Sequence, residues 1–283
     1  MTQTAASAGS ITIGGDLTVN RLGFGAMRVT GPGIWGYPAD RRAAVALLRR
    51  VVERGVDFID TADSYGPHVS EELIAEALHP YPRGLVIATK GGLLRPAAPR
   101  WDADCRPAHL RAACEGSLRR LKLERIDLYQ LHTVDPRVPL AESLGALLDL
   151  QREGKIRHIG LSNVTVEQLR EARKLAPIVS VQNRYNLEDR AHEAVLDACT
   201  GEKLAFLPWY PLAAGSLPRA SGRLGEIARK HGASTAQIAL AWLLQRSPMM
   251  LPIPGTSSIA HFEENLAAAA IRLSEAERVE IGR

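Results

Sequence analysis

Cysteine is scarce in this chain, and long apolar runs are absent. The three cysteines among the 283 residues, Cys105, Cys114 and Cys199, form no CxxC pair, which argues against a disulfide framework and against a bound metal such as zinc. No apolar run reaches the ~18 residues that span a bilayer, and residues 1–10 lack the basic and apolar parts of a secretory signal. We therefore expect a cytoplasmic protein with neither a metal nor a membrane partner.

An excess of one charge sign is also lacking. Lys and Arg total 35, Asp and Glu total 31, and the formal net charge is +4. Basic pairs such as Arg41-Arg42 and Arg119-Arg120 lie in helical patterns, and no platform of aromatic and basic residues accompanies them. Solvated helix faces account for these pairs, so nucleic acid is not an expected partner.

Eight short apolar runs alternate with amphipathic stretches through most of the chain. They are 22–26, 58–61, 86–89, 126–131, 158–161, 179–182, 205–209 and 250–253. Such runs are typical of a parallel sheet covered by helices, and eight βα units predict an α/β fold, the (β/α)8 TIM barrel. Before them, Gly14-Gly15 joins 10–13 to 16–19 as an N-terminal β-hairpin, which we expect to cap the barrel bottom. Residues 1–9 are then a disordered tail, and 10–283 form a single barrel domain.

Helices fill the intervals between the runs. They are predicted after the N-cap Asp40 to about 53, from Ser70, and over 107–121, 140–153, 166–175, 190–199, 221–231, 235–245, 258–270 and 274–281. The alternative fold is an open doubly wound sheet, which needs a glycine-rich first turn for its cofactor. The nearest candidate, residues 23–28, lacks the third glycine, which disfavours that fold.

Polar residues stand at the ends of three successive strands. These are Asp60, with Tyr65 soon after it, then Lys90, then His132. Catalytic groups of a (β/α)8 barrel lie at this end of the strands. Together they suit carbonyl reduction: a lysine held by Asp60 makes Tyr65 a better proton donor, and His132 directs the carbonyl oxygen.

The chain resembles the aldo-keto reductases over about residues 10 to 280. The shared segments are LGFGAM, DFIDTADSYG, VIATKGG, IDLYQLHTVD, GKIRHIGLSN, VQNRYN, PWYPL, IPGTSS and EENL, in this order. The resemblance implies a catalytic tetrad of Asp60, Tyr65, Lys90 and His132, with NADPH reducing a small-molecule carbonyl substrate. Many relatives are monomers, and we expect a monomer here.

The resemblance also implies contacts to the cofactor. Ser162, Asn163 and Gln182 match the groups that hydrogen-bond the nicotinamide carboxamide, and Trp209 matches the aromatic residue that stacks on the ring, where tyrosine is more usual. The matching positions beside the pyrophosphate and on the floor of the nicotinamide site are Tyr210, Pro211, Leu212, Gly25, Ala26 and Met27, with Asp60 beneath.

The last βα unit departs from the family pattern for NADPH. Gly255 stands where NADPH-preferring members have lysine, and His261 stands where they have arginine. The remaining matched positions are Ile253, Thr256, Ser257, Ser258, Glu264 and Asn265, the last two at the adenine edge. Hydroxyls and backbone N–H groups at a helix start still bind anions, and Ser258 is equally a helix N-cap. We expect NADPH, with NADH as the alternative and Gly255→Lys as a change that favours NADPH.

Four residues are candidates for the substrate wall: Met27, Trp35, Trp101 and Trp209, above Tyr65 and His132. An aromatic wall favours aldehydes and planar ring carbonyls, and the short loops are similar to those of bacterial pyridoxal reductases. Trp35 and Trp101 are equally well explained as loop anchors.

Two other functions stay open: a cofactor-binding, redox-sensing subunit, and a barrel isomerase or aldolase with Lys90 as a Schiff-base lysine.

Overall fold

A ring of parallel strands surrounded by helices forms the body of the protein, in a computed structural model that describes residues 4–213 and 222–282. The strands are β1 Ser10–Ile13, β2 Leu17–Asn20, β3 Phe24–Gly25, β4 Phe58–Asp60, β5 Val86–Gly91, β6 Leu93–Leu94, β7 Asp102–Ala103, β8 Ile126–Leu131, β9 Ile156–Ser162, β10 Ile178–Gln182 and β11 Ala205–Phe206. The main sheet has the order β11-β10-β9-β8-β5-β4-β3, and all its pairs are parallel.

Hydrogen bonds from the eighth apolar run close this sheet into a barrel. The Phe206 N–H donates to the Met249 carbonyl at 2.8 Å, and the Gly23 N–H donates to the Pro252 carbonyl at 2.9 Å. Residues 249–252 therefore lie between β11 and β3. The run predicted as a strand at 250–253 is not a strand within the described residues, where it contributes an isolated bridge from Met250 to Phe206.

Ten α-helices lie within the described residues. They are α1 Arg41–Glu53, α2 Val69–Leu78, α3 Pro107–Leu121, α4 Leu140–Arg152, α5 Val166–Leu175, α6 Glu193–Glu202, α7 Gly222–Lys230, α8 Thr235–Arg246, α9 Ile259–Ala267 and α10 Glu275–Ile281. Asp40 caps α1 as predicted, since its carboxylate accepts the Ala43 N–H at 2.8 Å.

Helix α6 begins later than the sequence predicted. A helix was predicted over 190–199, but α6 begins at Glu193. The Glu193 N–H donates to the Arg190 carbonyl at 2.9 Å, so residues 190–193 form a turn before the helix. The predicted start of α7 at Ser221 lies outside the described residues, as does 214–220.

The predicted disorder of residues 1–9 is wrong for residues 4–9. Ala5–Ala8 forms a 3₁₀ helix, and Ala5 is fully buried. The Ala5 N–H donates to the Arg54 carbonyl at 3.3 Å, and the Arg272 guanidinium donates to the Ser7 carbonyl at 2.9 Å. These long-range bonds and the buried methyl group of Ala5 hold the segment in place. Its small residues gave no sequence pattern from which the bonds could be predicted.

The hairpin β1–β2 pairs antiparallel around Gly14-Gly15. Its buried side chains alternate along both strands. Ile13 and Val19 belong to one apolar cluster with Phe58 and Val86, the first residues of β4 and β5. The hairpin therefore packs near the amino ends of the barrel strands, away from the ends that carry the polar residues.

The positions of the cysteines and the helices in the fold bear on the predictions about a disulfide, a membrane span and a metal site. All three cysteines are buried and free. Among residues 4–213 and 222–282, no helix has the length and apolar character to cross a bilayer. In the same described part of the chain, no three His, Cys, Asp or Glu side chains gather as a metal site would require.

Candidate active site

A buried ion pair lies at the carboxyl ends of the first barrel strands. Asp60 ends β4 opposite Ala88 of β5, and Lys90 lies two residues further along β5. Since side chains two residues apart in a strand lie on the same face, Lys90 reaches Asp60. The Lys90 ammonium donates to Asp60 Oδ2 at 2.7 Å and to the Thr61 carbonyl at 2.8 Å. Lys90 also lies 3.4 Å from the hydroxyl of Tyr65, which follows in the loop after β4.

Two amides hold the second oxygen of the Asp60 carboxylate. Gln182, at the end of β10, donates to Oδ1 at 2.8 Å, and Gln130, in β8, donates at 3.1 Å. Gln182 was predicted at the site, whereas Gln130 was not. A glutamine near the carboxyl end of β8, two residues before His132, was the available signal. These bonds fix the carboxylate and thereby the position of Lys90.

Burial and charge set the protonation of this group. Burial is the largest single influence on Lys90 and acts to lower its pKa, but the charges and hydrogen bonds of Asp60 and Tyr65 together outweigh burial, so the pKa is raised and Lys90 stays cationic. Burial raises the pKa of Tyr65, and Lys90 opposes this without cancelling it. The predicted effect of the lysine on Tyr65 therefore has the right sign, but burial is the stronger influence. Tyr65 holds its proton at neutral pH.

His132 follows β8 and is kept neutral. Burial, with the positive charge of Lys90, moves the pKa of His132 well below its ordinary value. Its ring packs edge-on against Tyr65, with centroids 5.8 Å apart. A neutral imidazole can donate one hydrogen bond to a ligand without placing a second positive charge beside Lys90.

A cavity of about 450 Å³ opens above Tyr65 and His132. The predicted site residues that line it are Gly25, Met27, Asp60, Tyr65, Trp101, His132, Ser162, Asn163, Gln182, Trp209, Tyr210, Pro211, Leu212, Ile253 and Gly255. Four more lining residues were not predicted: Arg28, Ile34, Leu93 and Pro254. Most of the predicted site therefore converges on one cavity.

Other predicted residues lie outside the lining of this cavity: Ala26, Trp35, Lys90, Thr256, Ser257, Ser258, His261, Glu264 and Asn265. Lys90 is fully buried beneath it. Ala26 is buried, and its carbonyl accepts the Ser70 hydroxyl at 3.0 Å. Thr256, Ser257 and Ser258 follow Gly255 and lead into α9. His261 lies in the first turn of α9, and Glu264 and Asn265 lie in its second half.

Trp101 and Trp35 are held by the same arginine. Trp101 packs edge-on against both Tyr65 and His132, at 6.4 Å between centroids in each case. The Arg95 guanidinium lies 3.9 Å from the Trp101 ring and 5.5 Å from the Trp35 ring. Trp35 therefore packs on Arg95 and does not line the cavity, which corrects its predicted place in the substrate wall. Arg95 was missed because a single loop arginine carries no pattern.

Asn163 links His132 to Trp209, which also lines the cavity. It follows β9 with a positive φ of 58°. Its amide donates to the His132 carbonyl at 3.0 Å and accepts the Trp209 indole N–H at 2.9 Å. Arg184, also missed from the sequence, lies 5.8 Å from the Trp209 ring and 5.1 Å from the Tyr210 ring.

The start of α9 is built as a helix N-terminus. Ser258 caps it by accepting the His261 N–H at 3.4 Å, and the Thr256 hydroxyl accepts the Ser258 N–H at 3.1 Å. Gly255 is packed against the backbone: a Cβ there would lie 2.5 Å from the Gly25 carbonyl oxygen. Gly255→Lys would force the backbone at Gly255 away from that at Gly25, so this variant cannot serve as the cofactor test that the sequence suggested.

The barrel with its buried Asp–Lys pair, tyrosine and histidine is matched by a known family. The profile described as the Aldo/keto reductase family matches residues 21–282. The chain belongs to this family. Pyridoxine 4-dehydrogenase of Escherichia coli is 46% identical over 275 residues, covering 95% of this chain and 96% of its own. An uncharacterized oxidoreductase of Schizosaccharomyces pombe is 52% identical over 270 residues, covering 95% and 88%.

Solved structures agree in fold. An aldo-keto reductase from Klebsiella pneumoniae in complex with NADPH has a TM-score of 0.84 and 30% identity, covering 99% of this chain and 94% of its own. A thermostable aldo-keto reductase bound to the inhibitor epalrestat has a TM-score of 0.84 and 34% identity, covering 96% and 98%.

Proposed function

We propose that this protein is an NADPH-dependent reductase that converts aldehydes or ketones to alcohols. The observation that carries the proposal is the contact of Tyr65 with the buried Lys90–Asp60 pair, at the floor of a cavity that His132 also lines. The family relationship supports the class of reaction. A relative in complex with NADPH supports the choice of cofactor.

The residues around the cavity fit a nicotinamide cofactor. Ser162, Asn163 and Gln182 offer hydroxyl and amide groups at one wall, and the Trp209 ring lies beside them. Gly25 and Gly255 leave the facing wall without side chains, because a Cβ on either would meet backbone. When bound there, the cofactor supplies a hydride to the carbonyl carbon.

The chain's own groups manage the proton. Tyr65 is protonated and donates its hydroxyl hydrogen to the carbonyl oxygen. Lys90, kept cationic by Asp60, stabilises the phenolate that remains. His132 is neutral and donates a hydrogen bond that directs the oxygen. The same charge on Lys90 argues against a Schiff-base role, because a protonated amine is no nucleophile.

Pyridoxal is the substrate candidate that the relatives support best. The E. coli relative is named for the pyridoxine reaction, and Trp101 presents an aromatic edge beside Tyr65 and His132. A planar aromatic aldehyde would pack there with its carbonyl toward the tyrosine. We also infer that the hairpin β1–β2 caps the end of the barrel opposite the cavity, since it packs against the first residues of β4 and β5.

The direct test follows the oxidation of NADPH, and of NADH in parallel, with pyridoxal, 4-nitrobenzaldehyde, methylglyoxal and phenanthrenequinone. Carbonyl-dependent oxidation of NADPH is the expected result. Cofactor binding without turnover would favour the alternative, a redox-sensing subunit. Binding would be read from tryptophan fluorescence, with Trp209→Phe as the reference. Absence of both would refute the proposed site.

The preference for NADPH over NADH should rise when His261 is replaced by arginine. His261 is exposed in the first turn of α9, where a permanent cation would strengthen binding of a 2′-phosphate. We expect the ratio of kcat/KM values to increase about tenfold. Ala260→Arg is the matched control, because it adds the same charge at the neighbouring exposed position. Equal ratios in the two variants would place the phosphate elsewhere.

A further inference from the structure

A serine hydroxyl contacts the inner nitrogen of the His132 ring. Ser64 directly precedes Tyr65, and its Oγ lies 3.4 Å from His132 Nδ1. Both side chains are buried, with 2% of Ser64 and 6% of His132 exposed. Among residues 4–213 and 222–282, the Ser64 hydroxyl makes this one hydrogen bond. Nε2 of the His132 ring makes none with the same residues.

Which nitrogen carries the ring hydrogen decides what His132 can do. A neutral imidazole donates from one nitrogen and accepts at the other. If Nδ1 carries the hydrogen, Ser64 must accept it, and the buried hydroxyl hydrogen of Ser64 then lacks a protein acceptor. If Nδ1 carries no hydrogen, the Ser64 hydroxyl donates to it, and both Nδ1 and the hydroxyl have a hydrogen-bond partner. Leaving a buried donor without a partner is costly, so the second arrangement is favoured.

We propose that Ser64 is a positioning residue that holds His132 in the Nε2–H tautomer. The proposal rests on the proposed reductase function, because that tautomer leaves an N–H on the ring nitrogen free to meet the substrate. The backbone of His132 is fixed separately, by the bond from the Asn163 amide to its carbonyl. Ser64 therefore sets the direction of the hydrogen, and Asn163 helps to set the position of the residue.

The tautomer can be read without any catalysis. We would record two-bond ¹⁵N–¹H correlations of ¹⁵N-histidine in the cofactor-free protein, at a pH above the ordinary histidine pKa of ~6.5. His132→Asn would identify the signals of His132 among the eight histidines. The unchanged protein should show His132 with its hydrogen on Nε2. Ser64→Ala should show a mixture of the two tautomers.

Kinetics then test whether the tautomer matters. Ser64→Ala should lower kcat for carbonyl reduction about threefold to tenfold, with an unchanged dissociation constant for NADPH. Ser180→Ala is the matched control: it removes a buried hydroxyl that has no hydrogen-bond partner in the barrel, and it should change neither measurement. Thermal unfolding of both variants checks that each is folded.

The outcomes separate the two proposals. Hydrogen on Nδ1 in the unchanged protein, or a spectrum that Ser64→Ala leaves unaltered, would overturn the role of Ser64. A changed tautomer with full kcat would remove its part in catalysis. Failure of the unchanged protein to reduce any carbonyl would instead refute the reductase function, and the nitrogen spectra would still report the tautomer.

Discussion

Replacement of Tyr65 by phenylalanine should lower kcat for carbonyl reduction by about 10²–10⁴-fold and leave NADPH binding almost unchanged. The ring of Tyr65 packs against His132 and Trp101, and phenylalanine keeps both contacts. Only the hydroxyl beside Lys90 is lost. Single-turnover reduction and the dissociation constant for NADPH, measured on the same preparation, separate the two effects.

A second buried tyrosine provides the control for this change. Tyr129 in β8 is fully buried, and its hydroxyl has no hydrogen-bond partner in the described residues. Tyr129→Phe therefore removes the same atom from the same barrel without touching Lys90. It should keep full activity. Retention of activity by Tyr65→Phe would show that another group, or a water molecule, delivers the proton.

The place where the proposed catalytic residues meet could be predicted because parallel strands bring their carboxyl ends together. Asp60, Lys90 and His132 lie at or next to the ends of three strands that are neighbours in the sheet, so a reading along the chain places them in one site. The strand starts at Phe58, Val86 and Ile126 also agree with the apolar runs. These features depend on local sequence and on the regular alternation of strand and helix.

Contacts between residues that are far apart in the sequence could not be predicted in this way. Arg95 joins the loop of Trp35 to that of Trp101, and nothing in the neighbouring sequence distinguishes it from a solvated arginine. The tight packing of Gly255 against Gly25 joins residues from opposite ends of the chain. Likewise, the pKa of Tyr65 depends on burial, which raises it, and on Lys90, which lowers it. The depth of the hydroxyl decides between them, and spacing along the chain does not encode that depth.

Lys90→Met should remove activity and also destabilise the fold. Lys90 is fully buried, and its ammonium is the positive partner of Asp60. Without it, a carboxylate held by the amides of Gln130 and Gln182 stays in the interior with no compensating charge. Loss of one member of a buried pair costs about 3–5 kcal/mol in the free energy of unfolding. We expect kcat to fall at least about 10²-fold, since the phenolate of Tyr65 loses its stabilising cation.

A double variant separates the two consequences of this change. Asp60→Asn combined with Lys90→Met removes both charges, so the uncompensated carboxylate disappears. Urea unfolding should show that the double variant recovers much of the free energy of unfolding that Lys90→Met loses. Its activity should remain as low as that of the single variant, because Tyr65 still lacks a neighbouring cation. If the double variant is no more stable than Lys90→Met alone, the unpaired carboxylate of Asp60 is not the source of the lost free energy of unfolding, and the pairing of its charge with Lys90 is not what stabilises the barrel.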